Sequence, residues 1–399
     1  MRELTVLHLY GMMFIPSPPL SLSLLTNLQT LVLAGCELED ISIVVELKSL
    51  EILSFERSDI IQLPKEIGQL TNLRMLNLTN CCGLRFIPAN LISSLTCLEE
   101  LYMGNCFIQW DVKGSKDHGN NASLEELSNL SHLTTLDIMI QDASVWPRDL
   151  QVFEKLERYN IFVGDMWEWP SGLAGGASEI SRILKLAESN STGILSDHGF
   201  DFLLNSTEDL CLEKLQCPGD VLYELNREGF SQLKHLCIEE SSELKYIVNL
   251  IGFIHPYPAF PNLETLTLRN LFDFEEICHG PIPIQSFAKL EFIEVKGCDK
   301  LKHLFWYSLV RDLPQLLEIK VTDCALVTQI IAEQTSNTDK EIDNIMFPKL
   351  RSLTLECLPS LISFCSAPLT ADASFKKRVE KCDDSQLILV ALIDQKVNI

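Results

Sequence analysis

The chain has 399 residues, with 55 acidic against 32 basic side chains, a net charge of −23 and a hydrophobic content of 46%. That apolar content excludes a disordered acidic tail, which lacks the surface needed to offset its ordering entropy. The acidic balance argues against nucleic acid and anionic membranes as partners, because both are held by clustered Lys and Arg. Fourteen cysteines in a chain this long read as reduced thiols rather than a disulfide framework. The longest purely apolar run is Leu387 to Ile393, far below the roughly 18 residues of a membrane span. No signal peptide is visible at the start. The expected location is cytoplasmic, with the nucleus or the membrane periphery left open.

In chain order, the spacing L-x-x-L-x-L opens at Leu4, Leu7 and Leu9, then recurs at Leu28, Leu31 and Leu33, followed by Cys36 and Leu38. Leu50, Leu53 and Phe55 repeat it with Ser58 and Ile60. The fullest copy is Leu73, Leu76, Leu78, Cys81 and Leu84, ending at Ile87-Pro88. Further copies start at Leu98, Leu133, Leu156, Leu233, Leu263, Leu290, Leu316 and Leu350. Two weaker ones pass through Leu184/Leu186 and Leu210/Leu212. The mean period of about 27 residues is that of leucine-rich repeats. The 67 leucines are mostly this ladder.

Each copy predicts one short strand with its Leu side chains pointing inward. Cys36, Cys81, Cys106, Cys298 and Cys324 fall at the small-residue site after the strand, where they are expected to be core thiols bonding backbone groups. Asn90 to Leu95 and Tyr307 to Leu313 predict single helical turns or short helices. Leu63 to Leu70 predicts loop with a short helical turn, and Ser123 to Leu130 a short helix. Gln109 to Asn121 and Glu333 to Asn344 read as polar loops, and Gly172 to Gly176 as a hinge. The pattern stops after Phe364. The expected fold is α/β: a leucine-rich-repeat solenoid, or horseshoe, with a concave parallel sheet and irregular convex loops and short helices. Residues 1–365 would form about 14 irregular repeats, and 366–399 a non-repeat tail.

Side chains alternate along a strand, so the residues between inward leucines face outward, onto the concave side. In the first half these include Glu100, Tyr102, Thr135, Asp137, Met139, Arg158, Asn160 and Phe162, a largely neutral and partly apolar set. In the second half Glu239, Arg269, Glu294, Lys296, Glu318 and Lys320 carry dense charge of both signs. Aromatic and Met side chains are enriched at interface cores. The candidate protein-binding residues are therefore Glu100, Tyr102, Asp137, Met139, Arg158, Phe162, Glu239, Arg269, Lys296 and Lys320. Trp110 and Trp146 are expected to pack. Trp167-Glu168-Trp169-Pro170 is the aromatic loop best suited to anchor a partner.

The sequence carries none of the common catalytic or metal-binding patterns. There is no G-x-x-x-x-G-K-[ST] to cradle a phosphate, no C-x-x-C or H-E-x-x-H for a metal and no G-x-S-x-G nucleophile turn. The expectation is a protein-binding surface and not an enzyme, with no catalytic residue, cofactor or metal. Five N-x-[ST] triplets, at Asn77, Asn121, Asn129, Asn190 and Asn205, are discounted. The triplet is common by chance, and Asn77 lies within a repeat strand.

Residues 47–84 (LKSLEILSFERSDIIQLPKEIGQLTNLRMLNLTNCCGL) carry a more specific likeness, continued by Ile92-Ser93-Ser94-Leu95 and 98–104 (LEELYMG). Phe153 to Tyr159 and Thr207 to Leu210 extend it. This pattern resembles the repeat region of plant coiled-coil nucleotide-binding leucine-rich-repeat immune receptors, over roughly residues 1–365. The resemblance implies partners that are proteins: a pathogen effector or guarded host protein, and the receptor's own nucleotide-binding domain, which the repeats restrain. The coiled coil and nucleotide-binding module, with its P-loop, are missing here, so the resemblance implies a truncated receptor or free repeat fragment without ATPase activity. The alternatives are a substrate-receptor solenoid of a ubiquitin ligase and a fragment of an extracellular repeat receptor.

Overall fold

The computed structural model describes residues 3–15, 17–107, 109–111, 121–142, 145–146, 151–164, 182–187, 200–214, 230–251, 257–310, 313–332, 347–365 and 376–377. They fall in two units, Met1–Leu203 and Leu204–Ile399. The Gly172 to Gly176 hinge, the Trp167 to Pro170 loop, and most of the two polar loops and the tail lie outside the described residues.

In the first unit the strands are β1 (Val6–Tyr10), β2 (Met13–Phe14), β3 (Thr30–Ala34), β4 (Glu37–Leu38), β5 (Ile52–Ser54), β6 (Met75–Asn77), β7 (Glu100–Tyr102), β8 (Thr135–Ile140), β9 (Arg158–Val163) and β10 (Arg182–Ala187). They build one sheet in the order β1-β3-β5-β6-β7-β8-β9-β10, with β2 and β4 paired separately. Every pairing in it is parallel. Parallel pairing follows from coiling, because each turn returns the chain to the same end of the sheet. The register stacks like on like: Leu31, Leu53, Leu76, Leu101 and Leu136 stand side by side. All five are at most 1% exposed, and each contributes about 1.5–3 kcal/mol by its burial. The next rung is Tyr159, whose buried hydroxyl donates to the Leu203 carbonyl at 3.1 Å. A buried phenol needs such a partner.

Short coils leave little room on the return side. The chain crosses it as 3-10 turns, Leu20–Leu24, Ser42–Glu46, Lys65–Gln69 and Leu124–Asn129, and as the one-turn helix Leu91–Ser94. The expected helical turns near residues 63–70, 90–95 and 123–130 are therefore present. Glu126, only 7% exposed, joins two of them. Its carboxylate accepts the backbone N–H of Asn90 at 2.8 Å, Ser93 at 3.2 Å and Ser123 at 3.3 Å.

The small-residue site acts as expected. Ser58 Oγ donates to the Leu33 carbonyl at 2.7 Å and accepts the Cys36 N–H at 2.9 Å, joining adjacent coils. Cys81 Sγ donates to the Phe55 carbonyl at 3.0 Å. In the second unit the Cys298 N–H donates to Cys324 Sγ at 3.4 Å. Cys36, Cys81, Cys106, Cys298 and Cys324 are all buried free thiols.

The second unit has a main sheet and two smaller ones. Its main strands are β11 (Asp209–Glu213), β12 (His235–Glu239), β14 (Thr265–Arg269), β16 (Phe292–Lys296), β18 (Glu318–Thr322), β20 (Ser352–Glu356) and β22 (Lys376–Lys377), in that order. Between them lie β13 (Tyr246–Asn249) paired with β15 (Glu276–His279), and β17 (His303–Trp306), β19 (Gln329–Ala332) and β21 (Ser363–Cys365) as a three-stranded sheet. The Tyr307 segment is a single turn, Tyr307–Val310. Leu210, Leu236, Leu266, Ile293, Ile319 and Leu353 form the aliphatic ladder of the main sheet. A second spine is aromatic. Phe230, Phe260 and Phe287 are all at most 3% exposed; Phe230 stacks on Phe260 at 5.2 Å, and Phe287 packs tilted against Phe260 at 5.4 Å.

Candidate functional site

The outward face of the first unit's sheet is a lattice fixed by register. Glu100, Thr135 and Arg158 form one row and Tyr102, Asp137 and Asn160 the next. Met139 pairs with Phe162, and Phe162 with Lys185. Six of the ten candidate residues thus come together here. Their exposure is uneven. Met139 is buried at 6%, and its backbone carbonyl accepts the Trp110 indole N–H at 2.9 Å. Met139 is therefore packing for this face rather than an open contact, and Trp110 packs as expected. Lys185, 1% exposed, holds its ammonium 5.4 Å from the Phe162 ring centre, within cation–π range.

The polar groups of the lattice are tightly organised. Tyr102 donates its hydroxyl to Glu100 at 2.6 Å, and the Arg158 guanidinium stands 3.8 Å from the same carboxylate. Burial, then the Glu100 carboxylate, push the Tyr102 hydroxyl well above its ordinary pKa. Asp137 accepts the Asn160 amide N–H at 3.1 Å. Burial raises the Asp137 carboxyl from 3.8 to about 7, against the opposing pull of the bonds from Asn160 and the Gly104 backbone. Gly104 is the residue that lets Asp137 lie so deep. A Cβ there would stand 2.4 Å from Asp137 Oδ2.

Beside this face, at the entry to the strands, lies a polar groove of about 510 Å³ lined by Gln29, Glu51, Asn72, Arg74, Glu99 and His132, among others. Arg74 grips Glu99 through two 2.8 Å bonds. Nothing in the repeat spacing marks this groove, because its residues are the variable positions just before each strand.

On the second unit, Glu239, Arg269, Glu294 and Lys320 form one alternating chain of charge. Arg269 reaches Glu239 at 2.9 Å and Glu294 at 2.6 Å, while Lys320 holds the other Glu294 oxygen at 2.7 Å. Burial alone would raise the Glu294 carboxyl, but Lys320 and Arg269 overcome it and hold the group below its ordinary value. Glu294, with its side chain 8% exposed, is the hub of the network. Lys296 stands apart, 4.0 Å from Asp323. Removing one partner of a fully buried pair costs about 3–5 kcal/mol. Arg269→Met is expected to cost less, about 2 kcal/mol, because Lys320 stays on Glu294 and Arg269 keeps some solvent contact. Urea unfolding measures it, and an unchanged midpoint would show that the network adds nothing to stability.

A further cluster lies on the smaller sheets, unannounced by any motif. The His279 ring stacks on Tyr246 at 4.3 Å and bonds Glu276 at 2.7 Å, and Glu276 accepts the Trp306 indole N–H at 2.5 Å. Among the described residues no group of three His, Cys, Asp or Glu is placed to hold a metal. None of their helices is long and apolar enough to cross a membrane.

Parallel strands in single-coil steps, an inward Leu ladder and a polar outward face define a leucine-rich-repeat protein. Comparison with known proteins narrows the class. Residues 262–395 match the family of plant disease resistance protein RPS2-like leucine-rich repeats, and residues 2–166 match a leucine-rich-repeat region family. These matches, with the relatives below, support a leucine-rich-repeat region similar to those of plant disease resistance proteins, in line with the sequence resemblance. It is 26% identical to disease resistance protein At4g27190 of Arabidopsis thaliana over 91% of this chain and 36% of that protein. It is 29% identical to the probable disease resistance protein At4g27220 of the same plant, over 74% of this chain and 31% of the relative. The chain thus spans about a third of the length of these curated relatives. Among solved structures, a leucine-rich-repeat protein of Leptospira interrogans aligns over 93% of this chain and 92% of its own, at 19% identity and a TM-score of 0.49. An internalin of Listeria monocytogenes aligns over 92% and 88%, at 15% identity and a TM-score of 0.41.

Proposed function

We propose that this chain is the recognition surface of a plant resistance receptor, binding a pathogen effector or guarded host protein on the outward face of its main sheets. In the full receptor its amino-terminal coils would restrain a nucleotide-binding switch. It acts by binding, without catalysis of its own, in the cytoplasm. The observation that carries this reading is the outward face itself. Parallel strands there present ordered polar and aromatic side chains, Tyr102, Asp137, Asn160 and Phe162 among them, on a scaffold whose inward face is a buried, mostly leucine ladder. Such preorganised side chains lose little freedom on binding, which favours affinity.

The test is capture from plant tissue expressing the tagged chain, together with a nucleotide-binding domain supplied in trans. Tyr102→Ala with Phe162→Ala is expected to lose the captured effector or host protein. Lys300→Ala, an exposed residue outside the outward rows, is expected to keep it. Equal capture by both variants, with folding shown by circular dichroism, would remove the outward face from the reading. Failure of the nucleotide-binding domain to associate would remove the restraining role.

A further inference from the structure

We infer that the outward face of the first unit contains a receptor site for one basic side chain, an arginine or lysine of the protein partner, formed by Glu100, Thr135, Asp137 and Asn160. The inference rests on the reading of this face as the recognition surface, and it names the chemistry that the face selects.

The four residues are neighbours by register on β7, β8 and β9. Thr135 and Asp137 sit two apart on the central strand, with Glu100 beside Thr135 and Asn160 beside Asp137. Their hydrogen-bonding capacity is unbalanced. Asn160 turns its N–H toward Asp137 at 3.1 Å. While that carboxyl is ionised no other orientation is acceptable, since the amide oxygen would otherwise face a second acceptor. The amide oxygen Oδ1 is therefore left buried with no donor. Thr135 is 0% exposed and its hydroxyl has no partner either. Buried polar atoms are nearly always bonded in folded proteins, so two orphans on adjacent strands of one face call for an explanation.

The missing complement is a group rich in donors. An amide oxygen can only accept, and the two carboxylates beside it only accept when ionised. A guanidinium brings five N–H donors and an ammonium three, each with the positive charge that carboxylates bond most strongly. An anionic group would meet Glu100 and Asp137 instead. The Tyr102 ring adds a flat surface of the kind on which a cation packs.

The chain also supplies an internal stand-in. Arg158 flanks Thr135 on the side opposite Glu100. It stands 3.8 Å from the Glu100 carboxylate with its side chain half exposed. That contact is loose compared with the 2.8 Å bonds between Arg74 and Glu99. A partner's basic side chain would compete with Arg158 for Glu100 while also meeting the donor needs of Asn160 and Thr135, which Arg158 leaves unmet.

The experiment is saturation-transfer NMR on the full chain. The probe is the acetylated and amidated peptide Gly-Ser-Arg-Ser-Gly, compared with versions carrying lysine, glutamate or citrulline, the neutral isostere of arginine. The arginine and lysine peptides are expected to bind at least five times more tightly than the citrulline and glutamate peptides. Asn160→Leu and Thr135→Val, the second nearly isosteric and checked by circular dichroism, are each expected to weaken the arginine peptide at least fivefold. Arg158→Gln is expected to strengthen it, because the resident competitor is gone. Equal binding of arginine and citrulline, or no change in either weakened variant, overturns the inference. If that happens while Tyr102→Ala with Phe162→Ala still loses the captured protein, only the basic-side-chain assignment falls. If capture is also indifferent, the outward-face reading falls with it.

Discussion

Gly164→Ala is expected to destabilise the chain by about 4 kcal/mol, the largest effect of a Gly→Ala change among the described residues of the first unit. Two independent costs add at this position. Gly164 has φ +134, a backbone conformation that L-residues rarely adopt, and holding alanine there costs on the order of 1–3 kcal/mol. An added Cβ would also stand 2.0 Å from the Ala187 carbonyl oxygen. That neighbour is backbone at the end of β10, so it cannot swing aside as a side chain would, and such overpacking costs roughly 1–3 kcal/mol more. Gly164 also donates its N–H to the Ile140 carbonyl at 2.8 Å, so the chain is held in place from β8 as well. Gly11→Ala is the control. Its φ of +64 lies in the left-handed region that Asn80, Asn90 and other non-glycine residues of the chain also occupy, and no atom lies within 4 Å of the added Cβ, so only about 1 kcal/mol of backbone strain is expected. Urea unfolding of both variants decides the matter, and equal losses would show that the close approach to Ala187 carries no cost.

The repeat frame was legible because an inward leucine every second residue leaves no other way to bury the strand. Leu53, Leu76 and Leu101 became adjacent rungs as the spacing required. Even the degenerate copy through Leu184 and Leu186 emerged as a strand. The small sheets of the second unit were not legible. Tyr246–Asn249, Glu276–His279 and His303–Trp306 are four-residue segments within the return part of each coil. A run that short has no periodicity of its own, and only the lateral stacking of coils makes it a strand. The phenylalanine spine was missed for a related reason. Phe230, Phe260 and Phe287 precede the leucine motif by three residues, and a repeated aromatic means little until stacking brings the rings to about 5 Å.

The same limit applies to the candidate site. Alternation placed Glu100, Asp137, Arg158, Arg269 and Lys320 on the outward side, where they are found. It gave no measure of depth. Met139 and Lys185 share that side yet are buried, and Glu294, the most enclosed carboxylate of its network, sits in the same row as Lys320. Depth on an outward face depends on what the neighbouring rows lay over a residue, and that is a property of several coils at once. The orphaned oxygens of Thr135 and Asn160 belong to this hidden information as well, since an unmet hydrogen bond is visible only once all neighbours are placed.

Asp137 turns that depth into a dependence on pH. Its folded carboxyl titrates at about 7 rather than 3.8, chiefly because burial disfavours the charged form. The folded chain therefore keeps a proton between about pH 4 and pH 7 that the unfolded chain has already lost. The contribution of this one group to stability is accordingly fully present below pH 4 and falls as pH rises, with the loss complete once pH passes 7. At about 1.4 kcal/mol per pH unit, the full effect is at most about 4 kcal/mol. Asp137 keeps some contact with solvent, so roughly half of that is the better expectation. Asp137→Asn removes the titration while keeping an acceptor for the Asn160 N–H. Its amide also sets a donor against the Gly104 backbone, a cost that does not change with pH. The informative quantity is thus the difference between variant and wild type measured at two pH values, which cancels the titration of the other carboxylates. Urea unfolding at pH 5 and pH 8 is expected to show the variant gaining about 1–2 kcal/mol on the wild type as pH rises. A difference that stays constant would mean that the carboxylate is already ionised in the folded chain at pH 5. The hydrogen bonds from Asn160 and Gly104 would then outweigh the burial that Gly104 makes possible.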